Sequence, residues 1–162
     1  MAYHPPQRPI AARILSLGRW IRGTFHPPKL HAFDDHLANG RTFFTLTDVD
    51  LGGAMPVPFL ALRVSAAHVV VPEVPASELL IQPTSGTAPR EVSCFLEHLA
   101  VRGRLELRAG VRTSDFLAHQ EGFIVLRACR LVPALNGREE PLPVVLVNAR
   151  AVVALAEEAR PE

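Results

Sequence analysis

The sequence predicts a mainly β protein, in which two five-stranded small β-barrels arise from an internal duplication and follow an N-terminal amphipathic helix. After position 30, apolar residues recur at a spacing of two, which is typical of strands buried on one face. Several of these segments recur later in the chain at a nearly constant offset. The segment 1–30 differs, because its apolar residues follow a helical spacing and its charged residues are all basic.

The N-terminal helix is predicted between two aromatic-His-Pro-Pro units, Tyr3–Pro6 and Phe25–Pro28. Pro9 can occupy its first turn and Gly23 can end it. One side of the helix is apolar and the other is basic, which suits a membrane interface or a groove of a partner. The alternative is that the apolar side covers the chain's own barrel. The predicted contact residues are Arg8, Ile10, Arg13, Ile14, Leu17, Arg19, Trp20, Ile21, Arg22 and Phe25.

The duplication is predicted from three pairs of matching segments: 44–51 with 124–131, 56–58 with 141–143, and 64–70 with 147–153. Five short strands around a small core are best satisfied by closing into a barrel, which removes unpaired edges. The first unit lacks one or two opening strands in this interpretation, and residues 78–82 could supply one. The predicted organisation is an arm (1–30), a first barrel unit (31–82) and a second barrel unit (90–157).

Charge and composition restrict the functional classes. The formal net charge of +1 divides into +5 for positions 1–30 and −4 for positions 31–162. A basic arm on an acidic body indicates an anionic partner or surface. Apolar runs are too short to cross a bilayer, and two cysteines are too few for a disulfide framework. We therefore expect a cytoplasmic protein that does not span a membrane.

No pattern of catalytic residues supports an enzyme. Adjacent carboxylates do not face the same way, and nucleophile-elbow and phosphate-loop motifs are absent from the sequence. The densest group of metal-ligand types is His26, His31 and His36 with Asp34 and Asp35. This group crosses a proline hinge, so a metal site there is a weak alternative. We expect no catalytic residue, cofactor or metal.

A short helix beside a bent five-stranded meander, present twice, resembles Sm-like small barrels over about residues 31–157. Sm-like proteins commonly bind RNA through an Asp-x-hydrophobic-Asn loop and an Arg-Gly loop. Here Asp48-Val49-Asp50 lacks the Asn, and Arg102-Gly103 falls in a predicted strand, so this activity is not implied for the chain.

The whole chain is also similar to the small auxiliary subunit of a bacterial double-ring reaction-centre and light-harvesting complex. That resemblance implies a non-catalytic subunit that binds no pigment and lies on the cytoplasmic face of the photosynthetic membrane.

The predicted function is that of a non-enzymatic scaffold subunit, which docks onto a larger complex of integral membrane proteins. An anionic membrane surface is a further candidate partner. Two alternatives stay open, an Sm-like RNA-binding protein and a small metal-binding domain that uses His26, His31 and His36. Nucleic acid is disfavoured because the body beyond position 30 is acidic.

Overall fold

The computed structural model describes residues 6–53 and 55–158. The chain divides between Gln82 and Pro83 into two compact units. Strands predominate in both units, which confirms the mainly β fold class.

The first unit is a five-stranded antiparallel sheet. Its strands are β1 (Ile10–Ser16), β2 (Arg19–Phe25), β3 (Phe43–Asp50), β4 (Val57–Arg63) and β5 (Ala67–Pro72). They lie in the order β5-β1-β2-β3-β4. A short helix, α1 (Phe33–Leu37), separates β2 from β3. One-turn 3₁₀ helices span Val64–Ala66 and Ala76–Leu79.

The second unit has the same construction. Its strands are β6 (Thr87–Phe95), β7 (Ala100–Arg108), β8 (Phe123–Val132), β9 (Leu142–Asn148) and β10 (Ala154–Glu157). Their order is β10-β6-β7-β8-β9, again antiparallel. Helix α2 (Thr113–His119) separates β7 from β8. One-turn 3₁₀ helices span Leu135–Gly137 and Ala149–Ala151.

The pairing registers of the two units also correspond. The β1–β2 pair Ile10↔Phe25 recurs as Arg90↔Leu105 between β6 and β7, and the pairs that follow keep the same correspondence.

Both sheets are interrupted at the same place. The pairing of the second and third strands shifts at a glycine in each unit, Gly23 or Gly103. The facing strand then contains a residue with positive φ, Asp48 (51°) in the first unit and Ala128 (50°) in the second. The same β-bulge therefore bends both sheets.

The predicted N-terminal helix is wrong, because residues 10–25 form the hairpin β1–β2. Leu17 and Gly18 have φ values of 50° and 78°, so they form the two-residue turn that suits the twist of a hairpin. Ile10 and Phe25, which share a face of the predicted helix, are cross-strand partners. The physical reason for the error is that residues four positions apart, such as Ile10 and Ile14 or Ile21 and Phe25, share one side of both a helix and a strand.

The hairpin supplies the strands that the first unit was predicted to lack. β1 and β2 are the opening strands of its sheet. Residues 78–82 do not replace them, because Ala76–Leu79 is a 3₁₀ helix and Leu80 is left-handed, with φ of 54°. The third predicted pair of segments is also misaligned: the 3₁₀ helices show that Val64 corresponds to Ala149 and not to Val147.

Closure of the units into barrels is not confirmed. Among the described residues, β4 pairs with β3 alone and β10 with β6 alone. Each unit therefore contains an end strand with one partner.

The first unit has an aromatic core. Phe25 packs edge-to-face on Phe33 and Phe44, with ring centroids 5.2 and 5.4 Å apart, and all three side chains are fully buried. The core of the second unit is mainly aliphatic, although Phe123 is also buried, and it includes the buried thiols of Cys94 and Cys129. Desolvation raises the pKa of these thiols to about 11 and 12, so both are protonated at neutral pH.

Candidate protein-binding face

The apolar residues predicted to contact a partner lie mainly in the core of their own unit. Ile10, Ile14 and Phe25 are fully buried, and Ile21 is 8% exposed. The alternative kept open from the sequence was a helix whose apolar side covers the chain's own barrel. These residues are buried within their own unit, but they are part of strands β1 and β2 and not of a helix. Leu17 differs, because it lies at the hairpin turn and is 78% exposed.

The basic residues of the hairpin are held by partners distant in sequence. Arg13 and Arg22 lie opposite each other on β1 and β2, where like charges destabilise a sheet. The Glu73 carboxylate forms salt bridges with both arginines, at N–O distances of 3.2 Å to Arg13 and 2.6 Å to Arg22. The carboxylate therefore offsets the repulsion.

Arg8 and Arg19 are held by main-chain oxygens. Arg8 donates to the carbonyl oxygen of His31, at 2.9 Å. Arg19 donates to the carbonyl oxygen of Leu51, at 3.1 Å. The arginines predicted to form a free basic arm are thus fastened to the first unit.

The strands β1 to β4 expose one face of their sheet, which we call the outer face. Threonine and alanine dominate its middle, while aromatic and arginine side chains lie towards its margins. Its members are identified by cross-strand pairing and alternation along each strand: Ala11, Arg13, Leu15, Trp20, Arg22, Thr24, Phe43, Thr45, Thr47, Phe59, Ala61 and Arg63. Of these, Leu15 is nearly buried, with 9% of its surface exposed.

Two phenylalanines give the outer face its exposed apolar area. Phe43 is 45% exposed and Phe59 is 55% exposed. The guanidinium of Arg63 lies 4.7 Å from the centroid of the Phe43 ring. These two residues are cross-strand partners, which brings the cation over the ring and forms a cation–π contact. No signal in the sequence shows that this side of the sheet is uncovered.

The second unit does not repeat this exposure. Register places Val144 and Leu146 at the positions that correspond to Phe59 and Ala61. Val144 is 4% exposed and Leu146 is fully buried. The exposed apolar side chains of β4 are therefore particular to the first unit.

The predicted metal-ligand group is not assembled as a metal site. His36 is buried against Phe25, and its Nδ1 atom has no hydrogen-bond partner within the described chain. The Nε2 atom of His26 is engaged by the Thr47 hydroxyl at 2.6 Å. Residues 6–53 and 55–158 contain no group of three histidine, cysteine or acidic side chains that could hold a metal. His4 lies outside the described residues.

Burial and surrounding cations keep His36 neutral. Desolvation is the main cause that lowers the pKa of His36 to about 4, and Arg41, His31, Arg8 and His26 act in the same direction. A neutral imidazole in an aromatic environment is a core residue with an acid-sensitive charge state. The sequence places His36 in a polar cluster and gives no sign of this burial.

A polar network in the second unit is also undetected in the sequence. Arg90 of β6 donates to the Thr113 hydroxyl at 3.0 Å and to the Glu157 carboxylate at 3.3 Å, and also to the carbonyl oxygen of Val111. Thr113 donates to Glu157 in turn, and this bond is the main cause of the lowered pKa of Glu157. The network fastens the start of α2 to strands β6 and β10, so we assign it a structural role.

The fold and the site define a class of protein: a chain of two five-stranded antiparallel β units, one of which bears an exposed face of aromatic, arginine, threonine and alanine side chains. Comparison with models of protein families, with curated proteins and with solved structures found no match to the chain. In the described part of the chain, no helix has the length and apolar character needed to cross a membrane.

Proposed function

We propose that the protein is a non-enzymatic scaffold subunit, which docks onto a larger complex through the outer face of its first unit. The observation that carries the proposal is the exposure of two aromatic rings, Phe43 and Phe59, on adjacent strands of one sheet. Large aromatic side chains left exposed together are characteristic of interaction surfaces.

The composition of the outer face favours a protein partner. Aromatic residues and arginine are enriched at protein interfaces, whereas lysine and acidic residues are depleted there. Thr45 and Ala61 are small and lie opposite each other between the two phenylalanines. A partner backbone could therefore approach the sheet closely and fill the space between the rings.

The Sm-like duplication belongs to the same proposal. It is supported by the shared strand order and by the bulges at Gly23 and Gly103, which occupy corresponding positions in the two units. Independent segments would not be expected to repeat both a register and its interruption. In this interpretation one copy kept an open outer face for binding.

The narrower proposal concerns the partner. A membrane-embedded photosynthetic complex, with the protein at the cytoplasmic face of the membrane, stays a prediction from the resemblance described above. The hairpin removes one argument for it, because an amphipathic helix is no longer available to lie in the bilayer interface. The remaining route to such a complex is contact with its protein subunits.

RNA binding is the second candidate, because exposed aromatic rings on a sheet with nearby arginines can stack nucleic-acid bases. Two contacts make it less favourable. Arg63 already occupies one side of the Phe43 ring, and Glu73 neutralises charge at Arg13 and Arg22. Salt-dependent binding of single-stranded RNA that is lost in a Phe59→Ala variant would support this candidate instead.

The protein-binding proposal is tested by substituting Phe43→Ala and Phe59→Ala together and isolating the tagged protein from native cells, with membranes solubilised. The matched control substitutes Leu30→Ala and Val153→Ala, two apolar residues that are 86% and 74% exposed and lie outside the outer face. Quantitative mass spectrometry should show the same proteins retained by the wild type and the control and depleted about tenfold in the outer-face variant. Equal retention by all three proteins would refute the proposal.

A further inference from the structure

We propose that β4 is a self-pairing edge, through which two copies of the chain form an antiparallel β4–β4 dimer with twofold symmetry. This proposal concerns the main chain of β4 and is independent of the partner-binding function. Three features of β4 support it: the direction of its backbone N–H and C=O groups, the side chains beside those groups, and the fit between β4 and a second, antiparallel copy of β4.

The hydrogen-bond pattern shows which groups of β4 face outward. The N–H of Val64 donates to the carbonyl oxygen of Thr42 at 2.9 Å, in line with the register that pairs Arg63 with Phe43. Because hydrogen-bonded and non-hydrogen-bonded pairs alternate in an antiparallel ladder, even-numbered residues of β4 bond towards β3. The N–H and C=O groups that point away from β3 belong to Val57, Phe59, Ala61 and Arg63.

The outward edge lacks the usual protection. Proline blocks pairing where its missing N–H faces the free side, but Pro58 is even-numbered and faces β3. The facing residue there is Asp48, whose positive φ of 51° marks the bulge. Arg63 is the single charged residue of β4, and it lies over the Phe43 ring. Among the described residues, no strand pairs with this side of β4, so its outward residues present both backbone groups for pairing.

A second copy can pair with this edge in a self-complementary register. If the twofold axis passes at Leu60, Phe59 lies opposite Ala61 of the second copy and Val57 lies opposite its Arg63. Each outward residue then meets an outward residue, as a hydrogen-bonded ladder requires. A large ring meets a small methyl group, and no like charges are opposed. On the other side of the strand, Leu60 meets Leu60 of the second copy. This self-complementarity is why we choose a second copy as the occupant.

The register can be tested with charge pairs. A Phe59→Lys/Ala61→Lys variant places lysine opposite lysine twice in the dimer, whereas Phe59→Lys/Ala61→Glu places lysine opposite glutamate twice. Both variants remove the same apolar side chains, so they are matched. Sedimentation of the purified full chain should show a concentration-dependent dimer for the wild type. The Lys/Lys variant should weaken it at least about tenfold relative to the Lys/Glu variant.

Backbone exchange gives a second measurement that does not depend on substitutions. In the wild type, amide hydrogens of Phe59, Ala61 and Arg63 should exchange more slowly as protein concentration rises. Circular dichroism should show that both variants are folded as the wild type is. A wild type that stays monomeric at all concentrations, or a dimer that the Lys/Lys and Lys/Glu variants form equally well, would overturn β4–β4 pairing. The latter result would indicate association through another edge.

Discussion

Gly103→Ala should destabilise the second unit because the bulge leaves no room for a methyl group. A Cβ atom at Gly103 would lie 2.8 Å from the Sγ atom of Cys129 and 3.2 Å from the carbonyl oxygen of Arg127. The first distance is far shorter than ordinary contact, and the second neighbour is backbone that cannot rotate away. Overpacking of this kind costs about 2 kcal/mol of unfolding free energy, which exceeds the gain of less than about 1 kcal/mol from replacing glycine.

The corresponding glycine of the first unit provides a matched control. A Cβ atom at Gly23 would lie 3.2 Å from a methyl group of Val49, its nearest neighbour. This contact is tight but involves the end of a side chain, so Gly23→Ala should cost less than about 1 kcal/mol. The two substitutions therefore differ in cost although their positions correspond.

Urea unfolding measured by circular dichroism reports both units, and fluorescence of Trp20, the single tryptophan, reports the first unit. A double-mutant cycle with Cys129→Ala tests the mechanism, because removing Sγ should relieve part of the cost of Gly103→Ala. If Gly103→Ala is as stable as the wild type, or if Cys129→Ala does not relieve its cost, the steric argument is wrong.

Two further predictions concern charge in the first unit. His36 has a pKa of about 4 in the folded chain against 6.5 unfolded, so stability should be full above pH 6.5 and fall by about 3 kcal/mol as the pH drops to 4. Urea unfolding at several pH values should show a smaller loss in His36→Leu. Glu73→Gln should cost about 1 kcal/mol by exposing the repulsion between Arg13 and Arg22, with a smaller cost in about 1 M salt.

Both charge predictions have outcomes that would contradict them. Parallel pH profiles for the wild type and His36→Leu would show that another group controls acid unfolding. For Glu73, the control is Glu97→Gln, because Glu97 is an exposed acid whose charge neighbour is the adjacent His98. Equal costs for the two glutamine variants, or no change of the Glu73→Gln cost with salt, would contradict the proposed role of Glu73.

The sequence was sufficient for the β class because alternation of apolar residues reflects burial of one sheet face. It was insufficient where contacts join distant residues. Glu73 and Arg13 lie far apart in the chain, and no local pattern connects them. Exposure of Phe43 and Phe59 was equally hidden, since alternation identifies the faces of a strand but not which face remains open. Val144 occupies the position that corresponds to Phe59 but is buried, and this difference comes from tertiary packing and not from a local sequence pattern.

The N-terminal error shows how an internal repeat could have decided between two periodicities. Apolar residues such as Ile10 and Phe25 satisfy a helical wheel and a hairpin equally well, so their spacing alone is ambiguous. The match of 44–51 with 124–131, extended upstream without a gap, aligns 10–25 with 90–105, which includes the predicted strand at Arg102-Gly103. In that alignment Gly23 corresponds to Gly103. The helical interpretation uses Gly23 as the end of the helix, whereas in the sheet both glycines lie at a bulge. The repeat therefore favours the hairpin before any contact is known. It also explains why the segment predicted to be a basic arm contains two strands of the first sheet.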